Sequence, residues 1–118
     1  MKKKILVVDD EENIRLLFKE ELEEEGYDVD TASNGLEALE KVKADSFDVI
    51  VLDIKMPVMD GIQALNAIKN MKKDQPVILC SAYGEFKQDL SSWVSDGYVV
   101  KSADTRELKE TIKGILAR

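Results

Sequence analysis

Histidine is absent from this 118-residue chain. Its absence removes the commonest general base, the commonest metal ligand and any role as a phosphohistidine carrier. A lone cysteine, Cys80, leaves no internal disulfide and no cysteine-based zinc site. No fully apolar run exceeds four residues, far short of the ~20 that a membrane-crossing helix needs. Lys2-Lys3-Lys4 followed by Ile5 to Val8 imitates the start of a signal peptide, but that run is too short and stops at Asp9-Asp10. A cytoplasmic protein with no membrane partner is expected. Basic residues are the minority, 17 Lys and Arg against 24 Asp and Glu for a net charge of −7, which argues against direct nucleic-acid binding through the phosphate backbone. Gly84 and Gly97 punctuate turns, and neither GxxxxGK(S/T) nor GxGxxG occurs. The remainder, 44% hydrophobic and 35% charged, has the composition and length of one globular domain spanning residues 1–118.

The chain alternates two periods. Ile5 to Val8, Val49 to Leu52 and Val77 to Cys80 are short aliphatic runs, and Tyr98-Val99-Val100 is a fourth. Tyr27, Val29 and Thr31 alternate with aspartates, the pattern of a half-exposed strand. Between these lie helical spacings: Ile14, Leu17, Phe18 and Leu22, ended by Gly26; Leu36, Leu39 and Val42, capped by Asn34 with Glu37 at the capping-box position; and Ile62, Leu65 and Ile68, capped by Asp60. Phe86, Leu90, Trp93 and Val94 suggest a fourth helix, and Leu108, Ile112, Ile115 and Leu116 a closing one. Five βα repeats with short connections imply a doubly wound, flavodoxin-like α/β fold. Its parallel sheet has the order 2-1-3-4-5, with helices on both faces and the Tyr27–Thr31 strand at an edge.

In such a sheet, ligands bind beyond the carboxyl ends of the strands, near the point where the winding reverses. Asp9 and Asp10 follow the first strand, Asp53 the third, Ser81 the fourth and Lys101 the fifth. Any one of these residues reads as an ordinary turn or surface residue; all of them at strand ends is a different matter. Three carboxylates in one crevice repel one another unless a cation is present. Oxygen-only ligands suit a hard ion such as Mg²⁺, which also takes phosphate oxygens. A hydroxyl and an ammonium suit a phosphoryl group. The set reads as a Mg²⁺-assisted phosphoryl site with an aspartate as nucleophile.

These residues resemble the receiver domain of two-component response regulators. The likeness is carried by Ile5 to Asp10, by Val51-Leu52-Asp53-Ile54-Lys55-Met56-Pro57-Val58-Met59-Asp60-Gly61, by Ser81-Ala82, and by Tyr98 three residues before Lys101. It is similar to the chemotaxis regulator and to the stand-alone regulator of sporulation phosphorelays. The resemblance implies Asp53 as phosphoacceptor, and Mg²⁺ held by Asp10 with Asp9, Asp53 and the main-chain carbonyl of Lys55. It also implies Ser81 as switch hydroxyl, Lys101 as the phosphate-contacting lysine and Tyr98 as switch aromatic. The phosphoryl group would come from a histidine kinase or histidine phosphotransfer domain and be read by a downstream protein target. Such a domain is a signalling switch and not an enzyme, beyond self-phosphorylation from small donors and autodephosphorylation. A slowly hydrolysed aspartyl phosphate is expected, because bulky Lys55 and Tyr83 occupy the two positions flanking it.

Two departures stand out. The family's lysine usually precedes a cis proline, and here Ser102 follows Lys101. A non-proline cis bond costs about 2.5–4 kcal/mol, so a trans bond is expected, with Lys101 farther from Asp53 until phosphate binds. The stretch from Ser81 to Lys101 is also shorter than usual in the family. Three alternatives are weighed against the receiver reading. A phosphatase of the haloacid-dehalogenase type needs an acid where Lys55 stands. A degenerate receiver-like interaction module would not need the intact Asp10, Asp53, Ser81 and Lys101 set. A receiver trimmed from a longer DNA-binding regulator would look the same over these residues.

Overall fold

The computed structural model describes residues 2–82 and 95–118. In chain order the elements are β1 (Lys4–Val8), α1 (Glu12–Glu24), β2 (Asp28–Ala32), α2 (Gly35–Ala44), β3 (Val49–Asp53), α3 (Gly61–Met71), β4 (Val77–Ser81), β5 (Gly97–Val100) and α4 (Arg106–Leu116). The strands form one parallel sheet of order β2-β1-β3-β4-β5. The helix expected around Phe86 to Val94 lies outside the described residues, as does Tyr83. Among the described residues no helix is long and apolar enough to cross a membrane.

The aliphatic runs are continuous because both faces of the central strands are covered. Side chains alternate across a strand, and the core divides accordingly. Ile5, Val7, Val49, Val51, Ile78 and Cys80 pack against Phe18 and Leu22 of α1 and Leu108, Ile112 and Ile115 of α4. Leu6, Val8, Ile50, Leu52 and Leu79 pack against Ala38 and Val42 of α2 and Ala64, Leu65 and Ile68 of α3. The half-polar strand β2 stands at an edge, where alternation is all that burial requires.

Helix ends follow local chemistry. Gly26 takes the left-handed conformation, φ 94°, just past α1. Asn34 caps α2 through the Glu37 N–H, but the Glu37 carboxylate accepts from the Ser33 hydroxyl and leaves the expected box unclosed. A complete capping box forms at α3, where Asp60 accepts from the Gln63 N–H and the Gln63 side chain accepts from the Asp60 N–H.

Candidate functional site

The register pairs Val8 with Leu52, which sets the next residues, Asp9 and Asp53, side by side. It also pairs Asp53 with Cys80 and Cys80 with Val99. Strand alternation then sends Asp9, Asp53 and Lys101 to the face covered by α1 and α4. Tyr98 is an odd number of residues from Lys101 and falls on the opposite face, packed half-buried against the α2/α3 layer. The crevice at the carboxyl ends has a volume of about 270 Å³ and is lined by Asp10, Glu11, Asp53, Lys55, Ser81, Ala82 and Lys101. The structure therefore brings together Asp9, Asp10, Asp53, Lys55, Ser81 and Lys101, and it leaves Tyr98 outside.

Carboxylate oxygens of Asp9, Asp10 and Asp53 lie within 4.8 Å of one another. Asp9 and Asp53 are buried, at 2% and 3% exposure, while Asp10 is exposed. The Lys101 ammonium stands 2.8 Å from Glu11 Oε1, 3.1 Å from Asp9 Oδ2 and 3.4 Å from Asp53 Oδ2. Burial and the Asp9 charge push the Asp53 carboxyl up to about 7, against the opposing pull of Lys101. Burial also raises Asp9, opposed by the Glu11 N–H and by Lys101. For Lys101, burial acts downward but is outweighed by the Glu11 hydrogen bond and the charges of Asp53 and Asp9, so its pKa rises. Burial and the Asp53 charge lift the Cys80 thiol to about 12, which keeps it protonated beneath the crevice.

The Lys101–Ser102 peptide is trans, since among the described residues no peptide bond is cis. The expectation that a trans bond would hold Lys101 away from Asp53 is not met. The Lys101 N–H donates to the Ser81 carbonyl at 2.6 Å, extending the β4–β5 pairing one residue beyond β5. That bond aims the side chain before the 101–102 peptide is reached, and four methylenes span the rest.

Two further features were not visible in sequence. Glu11 is the nearest partner of Lys101; its only signal was a third acid directly after β1. Gly61, the first residue of α3, lies so close to the end of β3 that an added Cβ would come 2.2 Å from the Asp53 carbonyl oxygen. Its N–H donates to the Ile54 carbonyl at 2.7 Å. Only glycine fits there, and the contact holds the backbone of Asp53 in place.

A parallel sheet of this order, with acids converging on one lysine at its carboxyl edge, defines a doubly wound phosphoryl-site protein. The response regulator receiver domain family matches residues 5–113, and the chain belongs to that family, the phosphoacceptor switch of two-component signalling. It is similar to the response regulator TrrA of Thermotoga maritima, solved in complex with Mg²⁺-BeF. That match has 54% identity and a TM-score of 0.93, over 97% of this chain and 99% of that one. TrrA has also been solved in complex with the histidine kinase ThkA; that match has 53% identity and a TM-score of 0.91, over 97% and 98% of the two chains. The alkaline phosphatase synthesis transcriptional regulatory protein PhoP of Bacillus subtilis is 42% identical over 120 residues, 100% of this chain and 50% of PhoP. The chain thus spans about half the length of the curated relatives it matches.

Proposed function

We propose that Asp53 is the phosphoacceptor. The observation that carries this reading is a buried aspartate at the end of a central strand, 3.4 Å from Lys101 and clustered with Asp9 and Asp10. A carboxylate oxygen of Asp53 attacks the phosphorus of a phosphohistidine on a histidine kinase or phosphotransfer domain. The phosphorus–nitrogen bond breaks and the imidazole leaves. With no histidine of its own, the chain depends on a partner or a small phosphodonor for that group. Lys101 offers an ammonium and Ser81 a hydroxyl donor to the phosphoryl oxygens. Tyr98, on the opposite face of β5, is the aromatic that reports occupancy to a downstream protein target.

The donor set fits Mg²⁺: three carboxylates, no nitrogen or sulfur, and one side open to solvent at Asp10. The Asp9, Asp10 and Asp53 carboxylates and the main-chain carbonyl of Lys55 would hold it. Bound there, it would offset the charge between the acids and the incoming phosphoryl group. Residues 1–118 act as one cytoplasmic receiver unit, a switch whose own chemistry is limited to self-phosphorylation and autodephosphorylation. Its acidic surface gives it no direct hold on nucleic acid.

Incubation with Mg²⁺ and acetyl phosphate should add one phosphoryl group by intact mass, mapped to Asp53. Chelation of the metal and Asp53→Asn should each abolish it. Label on Asp10 or Ser81 overturns the assignment.

A further inference from the structure

We propose that Glu11 is a latch on Lys101: in the resting protein it holds the ammonium toward α1, and a phosphoryl group on Asp53 must take the lysine from it. The inference rests on Asp53 being the acceptor. An ammonium has three donors and no more. Here all three are engaged, by Glu11 at 2.8 Å, Asp9 at 3.1 Å and Asp53 at 3.4 Å, and the bond to the acceptor is the longest. A phosphoryl oxygen arriving at Asp53 needs one of them.

The three partners are not equally replaceable. Asp9 has a side chain only 3% exposed, so the oxygen that the lysine leaves cannot return to water. The Glu11 side chain is 60% exposed, so its carboxylate returns to water when let go. Glu11 is therefore the partner whose loss costs least.

A second observation separates this role from helix capping. Glu11 occupies the N-cap position of α1, where a short polar side chain would accept from the helix N–H groups, yet its side chain makes no capping hydrogen bond. It reaches across the crevice mouth instead. Its backbone is held at both ends, its N–H donating to Asp9 Oδ1 at 2.9 Å and its carbonyl accepting from the Arg15 N–H at 3.1 Å. A side chain one methylene shorter, such as aspartate, would cap the helix instead of reaching for the lysine.

Two substitutions divide length from charge. Glu11→Asp keeps the charge and loses the reach, and aspartate is a good N-cap, so the helix is kept. Glu11→Gln keeps the reach and loses the charge. Affinity for beryllofluoride, a phosphoryl mimic, is measured by ¹⁹F NMR titration at saturating Mg²⁺. Glu11→Asp should bind about three- to tenfold tighter than the unmodified protein, the size of one half-exposed ion pair to a buried ammonium. Glu11→Gln should bind tighter by a smaller factor. In a Lys101→Met background, Glu11→Asp should change affinity by less than about twofold. Unaltered binding by Glu11→Asp alongside tighter binding by Glu11→Gln would mean simple charge repulsion and would overturn the latch. So would a full effect persisting without Lys101. Failure of the unmodified protein to bind beryllofluoride with Mg²⁺ present would bring down the acceptor reading itself, and the latch with it.

Discussion

Asp53 occupies an electrostatically unfavourable position. It is buried beside a second buried aspartate, and one lysine serves both. Its carboxyl is pushed from 3.8 to about 7. The folded chain therefore keeps a proton on Asp53 over a pH range where the unfolded chain has lost it. The stability this contributes is fully present below 3.8 and lost as pH rises through about 7. Without divalent cation, urea unfolding should show the unmodified protein losing roughly 4 kcal/mol relative to Asp53→Asn between pH 4 and pH 8. A constant difference across that range would refute the electrostatic account. Asp9, Asp53, Ser81 and Lys101 were legible in sequence because each directly follows or ends an aliphatic strand, and Asp10 because it is paired with Asp9. Glu11 was not, because nothing in the order of residues shows that its side chain abandons helix capping for a lysine 90 positions away.

Between β3 and α3 the chain makes the turn that presents Asp53. Val58 in this turn has φ 72° and is 73% exposed. A β-branched residue in the left-handed region is strained, by about 1–2 kcal/mol, and exposure returns little through burial. Val58→Gly should therefore raise stability by about 0.5–1 kcal/mol, because relief of strain exceeds the entropy glycine adds to the unfolded chain. Thermal melts of the two proteins decide it, and a lower midpoint for Val58→Gly would show that strain is not the governing factor. The element pattern itself was readable from periodicity, down to the Asp60 cap. The Val58 conformation was not, since valine carries no turn signal and its backbone is dictated by the return of Gly61 onto Ile54.

Across the whole molecule, the first and last helices share one face of the sheet and are tied by ion pairs, Glu21 with Lys109 and Glu25 with Lys113. Glu21 also accepts from the Thr105 hydroxyl. Mg²⁺ that binds the crevice of the folded chain, and not the unfolded chain, stabilises the fold by mass action. Mg²⁺ at ten times its dissociation constant should add about 1.4 kcal/mol to the unfolding free energy, seen as a rise in thermal midpoint. Asp10→Asn should remove most of that rise; an undiminished rise would place the ion elsewhere. Length, period and the residues that end each strand determined the fold class, the sheet order and the identity of the acids and lysine at the site, because burial on both faces and right-handed crossovers leave few other arrangements. Tertiary structure alone decided where Lys101 points and that Glu11 and Gly61 belong to the site. Those outcomes depend on strand register and on distances between residues far apart in the chain, and neither is encoded in local periodicity.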